Sequence, residues 1–290
     1  MKLKTTFGEI KRDAKDSLSG FWGTAFVIVL VMGLVTGAAG FILVLPGTLL
    51  ESEAWSFIAK IILYPFADFM ALGLSFCMLK FSRNDIPYVR DLFKAGKFYP
   101  RYLLYSLIIS ACGYIAAIPF GFLIGLVLVF AKHSVLTSAI LCIMTIAGAF
   151  WLYVLLNGFA LIPYLIIDNP KMKISRLFRM SWQLMKGNKI KLLLFQLSFL
   201  GWGLVCLLPG IVAYSLDFIS YHFILNSILS IISIIATGIG LLFLACYFSV
   251  AQCSFYNQII LEYKAALASS KQDAPDTAPA AVSAAPQEEE

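Results

Sequence analysis

The chain has 290 residues, 60% of them hydrophobic and 13% charged, with a formal net charge of +6. A soluble domain cannot hide that much apolar surface. Several runs exceed about 18 residues with few charges, the composition of transmembrane helices.

Residues 1–20 are polar and periodic. Leu3, Phe7, Ile10, Ala14 and Leu18 fall on one helical face and Lys4, Lys11 and Lys15 on another, which predicts an interfacial amphipathic helix. Thr6 and Glu9 have capping-box spacing, and Gly20 closes the segment. A first apolar run covers 21–45 and is stopped by Pro46-Gly47; it is too long for the apolar region of a cleavable signal peptide. A second covers 57–79, with Asp68 near its middle.

The polar stretch 80–101 contains a second amphipathic segment. Ile86, Val89 and Phe93 share one face, Arg90, Lys94 and Lys97 the other, and Gly96 is expected to close it. The third run, 102–131, is interrupted by Pro119 and Gly121. Lys132-His133 then makes a tight turn. The fourth run, 135–167, contains Asn157 and is expected to bend or break near Pro163.

A third basic segment follows. Asn169 suits an N-cap and Pro170 a first helical position. Ile174, Leu177, Phe178, Ser181 and Met185 share one face. Arg176, Arg179, Gln183 and Lys186 share the opposite face, and Gly187 ends the helix. The fifth run, 192–214, is expected to break at Pro209-Gly210. The sixth runs from 223 to about 260, and the Ala/Pro/Glu-rich residues 264–290 read as a disordered tail.

The basic residues are distributed unevenly. Five lie before the first run, six after the second, seven after the fourth and two in the tail, leaving only Lys60 and Lys132 for the opposite side. The positive-inside rule then predicts six spans with both termini in the cytoplasm. Every basic cluster flanks a span, which argues against a nucleic-acid partner and for anionic headgroups of the bilayer. The basic segments contribute Arg90, Lys94, Arg176, Arg179, Lys186 and Lys189 as a candidate lipid-headgroup or partner surface.

Three times the order is basic amphipathic segment, Gly, apolar run, Pro-Gly, apolar run. Arg12-x-Ala14-x-x-x-Leu18-x-Gly20 parallels Arg179-x-Ser181-x-x-x-Met185-x-Gly187. The expected fold is therefore an all-α integral membrane protein. Its six transmembrane helices form three parallel-repeat hairpins, about 1–80, 81–168 and 169–263, each preceded by a cytoplasmic basic amphipathic helix.

Several motifs in the third unit belong together: Asp168-Asn169-Pro170, then Ser181-x-x-x-Met185-Lys186-Gly187-Asn188-Lys189, then Leu197-Ser198-Phe199-Leu200-Gly201-Trp202. With the Arg12–Gly20 pattern and Phe255-Tyr256, the chain resembles the bacterial membrane family called domain of unknown function 975. That resemblance covers most of residues 1–263 and implies a multi-pass membrane protein, with no activity to carry over.

Candidate chemistry is sparse. Asp68 is the one acid in the middle of a span, where a charge costs roughly 2.5–3.5 kcal/mol. Asn157 and Gln252 are polar members of spans four and six and make, with Asp68, a candidate intramembrane site; interhelical packing is the competing explanation for such amides. Ser215, Asp217, Ser220 and His222 fall in the loop expected after the fifth run without G-x-S-x-G or any oxyanion pattern. No H-E-x-x-H, phosphate loop or metal-spaced cluster occurs. Cys77, Cys112, Cys142, Cys206, Cys246 and Cys253 all lie in apolar runs without C-x-x-C spacing, and read as buried small apolar residues.

The sequence therefore favours a non-enzymatic scaffold or accessory protein without cofactor or metal, binding anionic lipid or a membrane-protein partner. A small transporter with Asp68 in its pathway is the first alternative. An immunity or envelope-stress factor against membrane-active peptides is the second.

Overall fold

Thr6 begins the first helix as its spacing predicts. Its Oγ1 accepts the Glu9 N–H at 3.3 Å, and Glu9 Oε2 accepts the Thr6 N–H at 2.8 Å, a complete capping box. The computed structural model describes residues 5–130, 135–219 and 223–272, and those residues form helices and short connections with no strand. The helices are α1 (Phe7–Leu18), α2 (Trp22–Leu49), α3 (Glu53–Phe81), α4 (Asp91–Lys94), α5 (Tyr99–Phe130), α6 (Val135–Leu156), α7 (Ile162–Asp168), α8 (Ile174–Met185), α9 (Lys189–Ile219) and α10 (Phe223–Gln272). Short 3₁₀ turns at Ala95–Phe98 and Asn157–Phe159 lead into α5 and follow α6.

Six stretches are long and apolar enough to cross a membrane: Trp22–Leu49, Glu53–Phe81, Asp91–Leu128, Thr137–Asp168, Lys189–Ser215 and Ser227–Ala266. Each long helix packs extensively against its neighbour in sequence, giving the pairs α2–α3, α5–α6 and α9–α10. Their outward surfaces are apolar, with Leu34, Phe41, Phe57, Tyr114, Ile143, Trp202 and Ile234 all exposed. The buried core is gathered at one end, which we call the basic end. There α1, α4, α7 and α8 close against the near ends of α2, α3, α5 and α9 and the second half of α10.

Local agreement between the first and third basic segments is close. Helices α1 and α8 each have twelve residues, and Ile10, Ala14 and Leu18 are buried as Leu177, Ser181 and Met185 are. Gly20 and Gly187 end them with φ of +80° and +87°, the left-handed conformation that only glycine adopts without cost. Replacing Gly187 with valine should therefore destabilise the protein by roughly 1–2 kcal/mol, read as a lower thermal midpoint after detergent extraction; an unchanged midpoint would remove the need for a left-handed cap.

The middle segment departs from this pattern. In place of a longer amphipathic helix, residues 82–90 run irregularly into the single turn of α4. Ile86 and Phe93 are exposed and Val89 is only partly buried; Leu92, Ala95 and Phe98 are buried instead. Gly96 closes nothing. It lies inside the 3₁₀ turn, where a Cβ would sit 3.3 Å from the Phe69 ring. Close approach here depends on a different glycine. A Cβ on Gly73 would lie 2.4 Å from the Leu92 carbonyl oxygen, so the turn of α4 seats on bare backbone of α3. Gly73→Ala should cost about 2 kcal/mol through overpacking, measured as unfolding midpoint in detergent, and a wild-type midpoint would contradict this seating.

Other expectations are corrected at prolines. Pro46, Pro119 and Pro209 lie inside continuous α2, α5 and α9, so the Pro-Gly pairs do not interrupt these helices. Proline removes one backbone hydrogen bond, which neighbouring helices and local adjustment accommodate in an apolar setting. The break expected near Pro163 does occur. Helix α6 stops at Leu156, and α7 restarts with Pro163 in its first turn. Asn169 is the C-cap of α7 rather than an N-cap, and α8 starts after Lys173 with Pro170 outside it. Helix α10 continues past residue 264 to Gln272, so the helical region overruns the expected start of the tail; residues 273–290 lie outside the described residues. So do Lys132, His133, Ser220 and His222. Ser215 and Asp217 belong to α9, not to a loop.

Candidate functional site

At the basic end three distant parts of the chain meet in one polar latch. Arg83 follows α3, Asp168 is the last residue of α7, and Tyr256 and Asn257 lie on α10. Arg83 Nη1 and Nη2 donate to Asp168 Oδ1 and Oδ2 at 2.8 and 2.7 Å, the two-pronged geometry that planar guanidinium and carboxylate share. The Tyr256 hydroxyl donates to Asp168 Oδ2 at 2.8 Å. Arg83 also donates from Nε and Nη2 to Asn257 Oδ1 at 3.3 and 3.2 Å, while Asn257 Nδ2 donates to Ser82 Oγ at 2.9 Å. The hydrogen bonds to Asp168 raise the Arg83 pKa against the opposing effect of burial. A cavity of about 640 Å³ adjoins the latch, lined in part by Met180, Gln258 and Lys264.

A second charged knot anchors α4. The Asp91 side chain is 1% exposed; Lys80 Nζ lies 3.1 Å from its Oδ2 and Lys94 Nζ 2.6 Å from its Oδ1. Its Oδ2 also accepts the Tyr88 N–H at 3.2 Å. Lys94 thus pairs with Asp91 while its side chain stays 55% exposed.

The candidate intramembrane residues are not brought together as one site. Asp68 accepts a hydrogen bond from Ser106 Oγ on α5, and the Tyr64 hydroxyl bonds Ser106 at 2.9 Å and Ser110 at 2.7 Å. These four side chains form a polar ladder between α3 and α5. Asn157 is buried in the turn after α6 with its Nδ2 unpartnered, and Gln252 lies on α10. Among the described residues no hydrogen bond joins Asp68, Asn157 and Gln252.

Of the basic candidates, Arg176, Arg179 and Lys186 are exposed on or beside α8. Arg90 lies over the Tyr88 ring at 5.3 Å, and Lys189 over the Trp182 ring at 3.2 Å. The family-like motif serves mainly to build the basic end. Ser181 Oγ donates to the Gly158 carbonyl at 3.0 Å, tying α8 to the turn after α6, where a Cβ on Gly158 would meet Trp182 at 2.8 Å. Met185 is fully buried. Phe199 sits among Phe195, Tyr247 and Phe248, while Ser198 Oγ donates to the Phe195 carbonyl. Gly201 has open space around it and Trp202 is exposed.

Sequence reasoning counted Arg83 and Lys80 only as topology charges and passed over Asp91 and Asn257. The available signal for the latch was the pairing of Asp168 with Phe255-Tyr256 in one family pattern. Cys77, Cys246 and Cys253 are buried as expected, but Cys112 and Cys142 are exposed on the helix surface; all six are free thiols. Among the described residues no group of three or more His, Cys, Asp or Glu side chains is placed to hold a metal ion. What the latch does chemically is bind and position: it holds a cation and an anion in mutual compensation and joins three helices. Residues 1–262 match the family described as "Protein of unknown function (DUF975)". No curated protein and no solved structure matches the chain.

Proposed function

We propose, for a chain that belongs to the DUF975 family, the role of a non-enzymatic scaffold or accessory protein of the bacterial inner membrane. In this reading both termini and the basic end face the cytoplasm, as the positive-inside distribution of the basic residues supports, and the exposed cations of α1 and α8 engage anionic headgroups or a membrane-protein partner. One observation carries the reading: the polar side chains of the basic end are spent on joining helices, as in the Arg83–Asp168–Tyr256 latch, while Arg176, Arg179 and Lys186 remain exposed beside it. Each such cation adds roughly 1 kcal/mol of attraction to an anionic surface.

The matching burial pattern and glycine caps of α1 and α8 support an internal repeat, with α2–α3 and α9–α10 as equivalent hairpins and α5–α6 as a divergent middle copy. Native mass spectrometry of gently extracted protein tests the functional reading. Co-purified anionic lipid or a defined membrane partner is the expected result, and a bare monomer would contradict it.

A second reading follows from the Asp68–Ser106–Tyr64–Ser110 ladder, which sets hydroxyls and a carboxylate in line within two spans. As a small transporter the protein would move a proton or cation along this ladder. Flux into proteoliposomes that is abolished by Asp68→Asn would favour it; equal flux from wild type, Asp68→Asn and empty vesicles would dispose of it.

A further inference from the structure

A groove of about 600 Å³ opens between α1, α2, α9 and α10, on a different part of the basic end from the latch. Its walls are Trp22, Trp202, Cys206 and Phe243, and its mouth carries Lys11 and Lys15 of α1. The floor is narrow because α9 and α10 close together at Gly240, where a Cβ would lie 3.2 Å from Cys206 Sγ. Trp22 stacks on Phe243 with ring centroids 5.3 Å apart, which fixes one wall. Trp202 is 62% exposed on the other side.

The two lysines are placed differently from the other cations of the basic end. Lys11 Nζ lies 3.5 Å from the Ser198 carbonyl oxygen and 4.5 Å from the Phe199 ring centroid, and burial lowers its pKa. Lys15 is exposed. Among the described residues neither has a carboxylate partner, whereas the neighbouring Asp13 and Asp16 are engaged by Gln258 and Arg12. An apolar slot flanked by tryptophans, with two uncompensated ammonium groups at one end only, complements an amphiphile with a negative head and an apolar chain.

We propose that this groove is a binding site for a single phospholipid with an anionic headgroup. The headgroup phosphate lies at Lys11 and Lys15, and one acyl chain lies along Trp22, Cys206 and Phe243. The proposal rests on the lipid-binding reading above and gives it a defined site, separate from the exposed cations of α8.

The test is a titration of the extracted full chain with phosphatidylglycerol or phosphatidylcholine of identical acyl chains, followed by native mass spectrometry. Wild type is expected to hold phosphatidylglycerol about tenfold or more tightly than phosphatidylcholine. Lys11→Gln with Lys15→Gln should erase that preference, and Lys15→Gln alone, at an exposed position that does not support the fold, should reduce it about threefold to fivefold. Arg176→Gln with Arg179→Gln should leave it intact. Leu244→Trp, which fills the groove, should lower retention of phosphatidylglycerol. If the preference survives the lysine changes and disappears with the α8 changes, the groove is not the site and the broader lipid reading stands. If wild type shows no preference, both fail. Equal, lysine-independent retention of both lipids would mark a neutral-lipid or partner-helix groove and overturn the proposal.

Discussion

Replacing Asp91 with alanine should destabilise the extracted protein by about 3 kcal/mol, the low end of the range for breaking a buried ion pair. The carboxylate is 1% exposed and holds Lys80 of α3, Lys94 of its own turn and the Tyr88 N–H at once. Its loss leaves the Tyr88 N–H unpaired and removes the charged anchor of a four-residue helix, which is too short to stand by propensity. Both lysines reach water, with side chains 27% and 55% exposed, so they can be resolvated and the cost stays below that of a fully interior pair. A double-mutant cycle of Asp91→Ala with Lys80→Ala, read by unfolding in mixed micelles, should show coupling of roughly 1–2 kcal/mol. Additive effects would mean that the contact contributes nothing of its own.

The second large effect is expected at the latch. Asp168→Ala removes the two-pronged bond to Arg83 and the bond from Tyr256, and leaves the guanidinium facing a phenol and an amide. A loss of about 2–3 kcal/mol follows from charge-assisted hydrogen bonds of this kind, moderated because the Arg83 side chain is 43% exposed. The consequence should be local as well as global. This carboxylate adds the charged tie between the end of α7, the residues after α3 and α10, beside the packing of Tyr164 on Tyr256, so amide exchange should rise first at 162–168 and at the Ser82–Asn84 turn. Tyr256→Phe should produce a smaller loss, near 1 kcal/mol, because the ion pair itself survives. Equal losses from the two substitutions would show that the phenol, not the guanidinium, holds the carboxylate.

Much of the architecture was legible in the sequence because it depends on solvent preference and local backbone chemistry. The apolar runs became six helical stretches long and apolar enough to cross a membrane, and the Thr6–Glu9 box, Gly20 and Gly187 mark helix ends where expected. The misreadings have physical causes. Pro119 and Pro209 look like breaks, yet a helix among apolar neighbours has no competing water to take its backbone groups and stays continuous. Asn169-Pro170 has the chemistry of a helix start, but Asn169 instead ends α7, where its N–H bonds the Leu165 carbonyl at 2.9 Å. Gly96 resembles the other helix-ending glycines in spacing alone, since Phe69 packs against it and the chain runs on into α5.

The candidate site was less legible. Asp68, Asn157 and Gln252 were grouped because polar residues inside apolar runs stand out, but helix rotation decides which of them meet, and Asp68 pairs with Ser106 instead. Arg83, Asp168 and Tyr256 are far apart in sequence, with separations of 85 and 88 residues from Asp168. No periodicity encodes such a contact. It arises when the ends of α3 and α7 meet the side of α10, and one cation, one carboxylate and a phenol find each other. The middle basic segment illustrates the same limit: its apolar spacing fits a helix, yet Gly73 and Asp91 draw it into a single tight turn on α3.

The proposed role requires the basic end to face the cytoplasm beneath a six-span body. Site-directed labelling with a membrane-impermeant maleimide measures this directly, in intact bacteria and after permeabilisation, using Glu53→Cys and Ser175→Cys in a background with Cys112 and Cys142 replaced by alanine. Both positions are exposed, at the start of α3 and on α8 respectively. The expected result is labelling of position 53 in intact cells and of position 175 only after permeabilisation. Labelling of position 175 in intact cells, or of both positions alike, would contradict it.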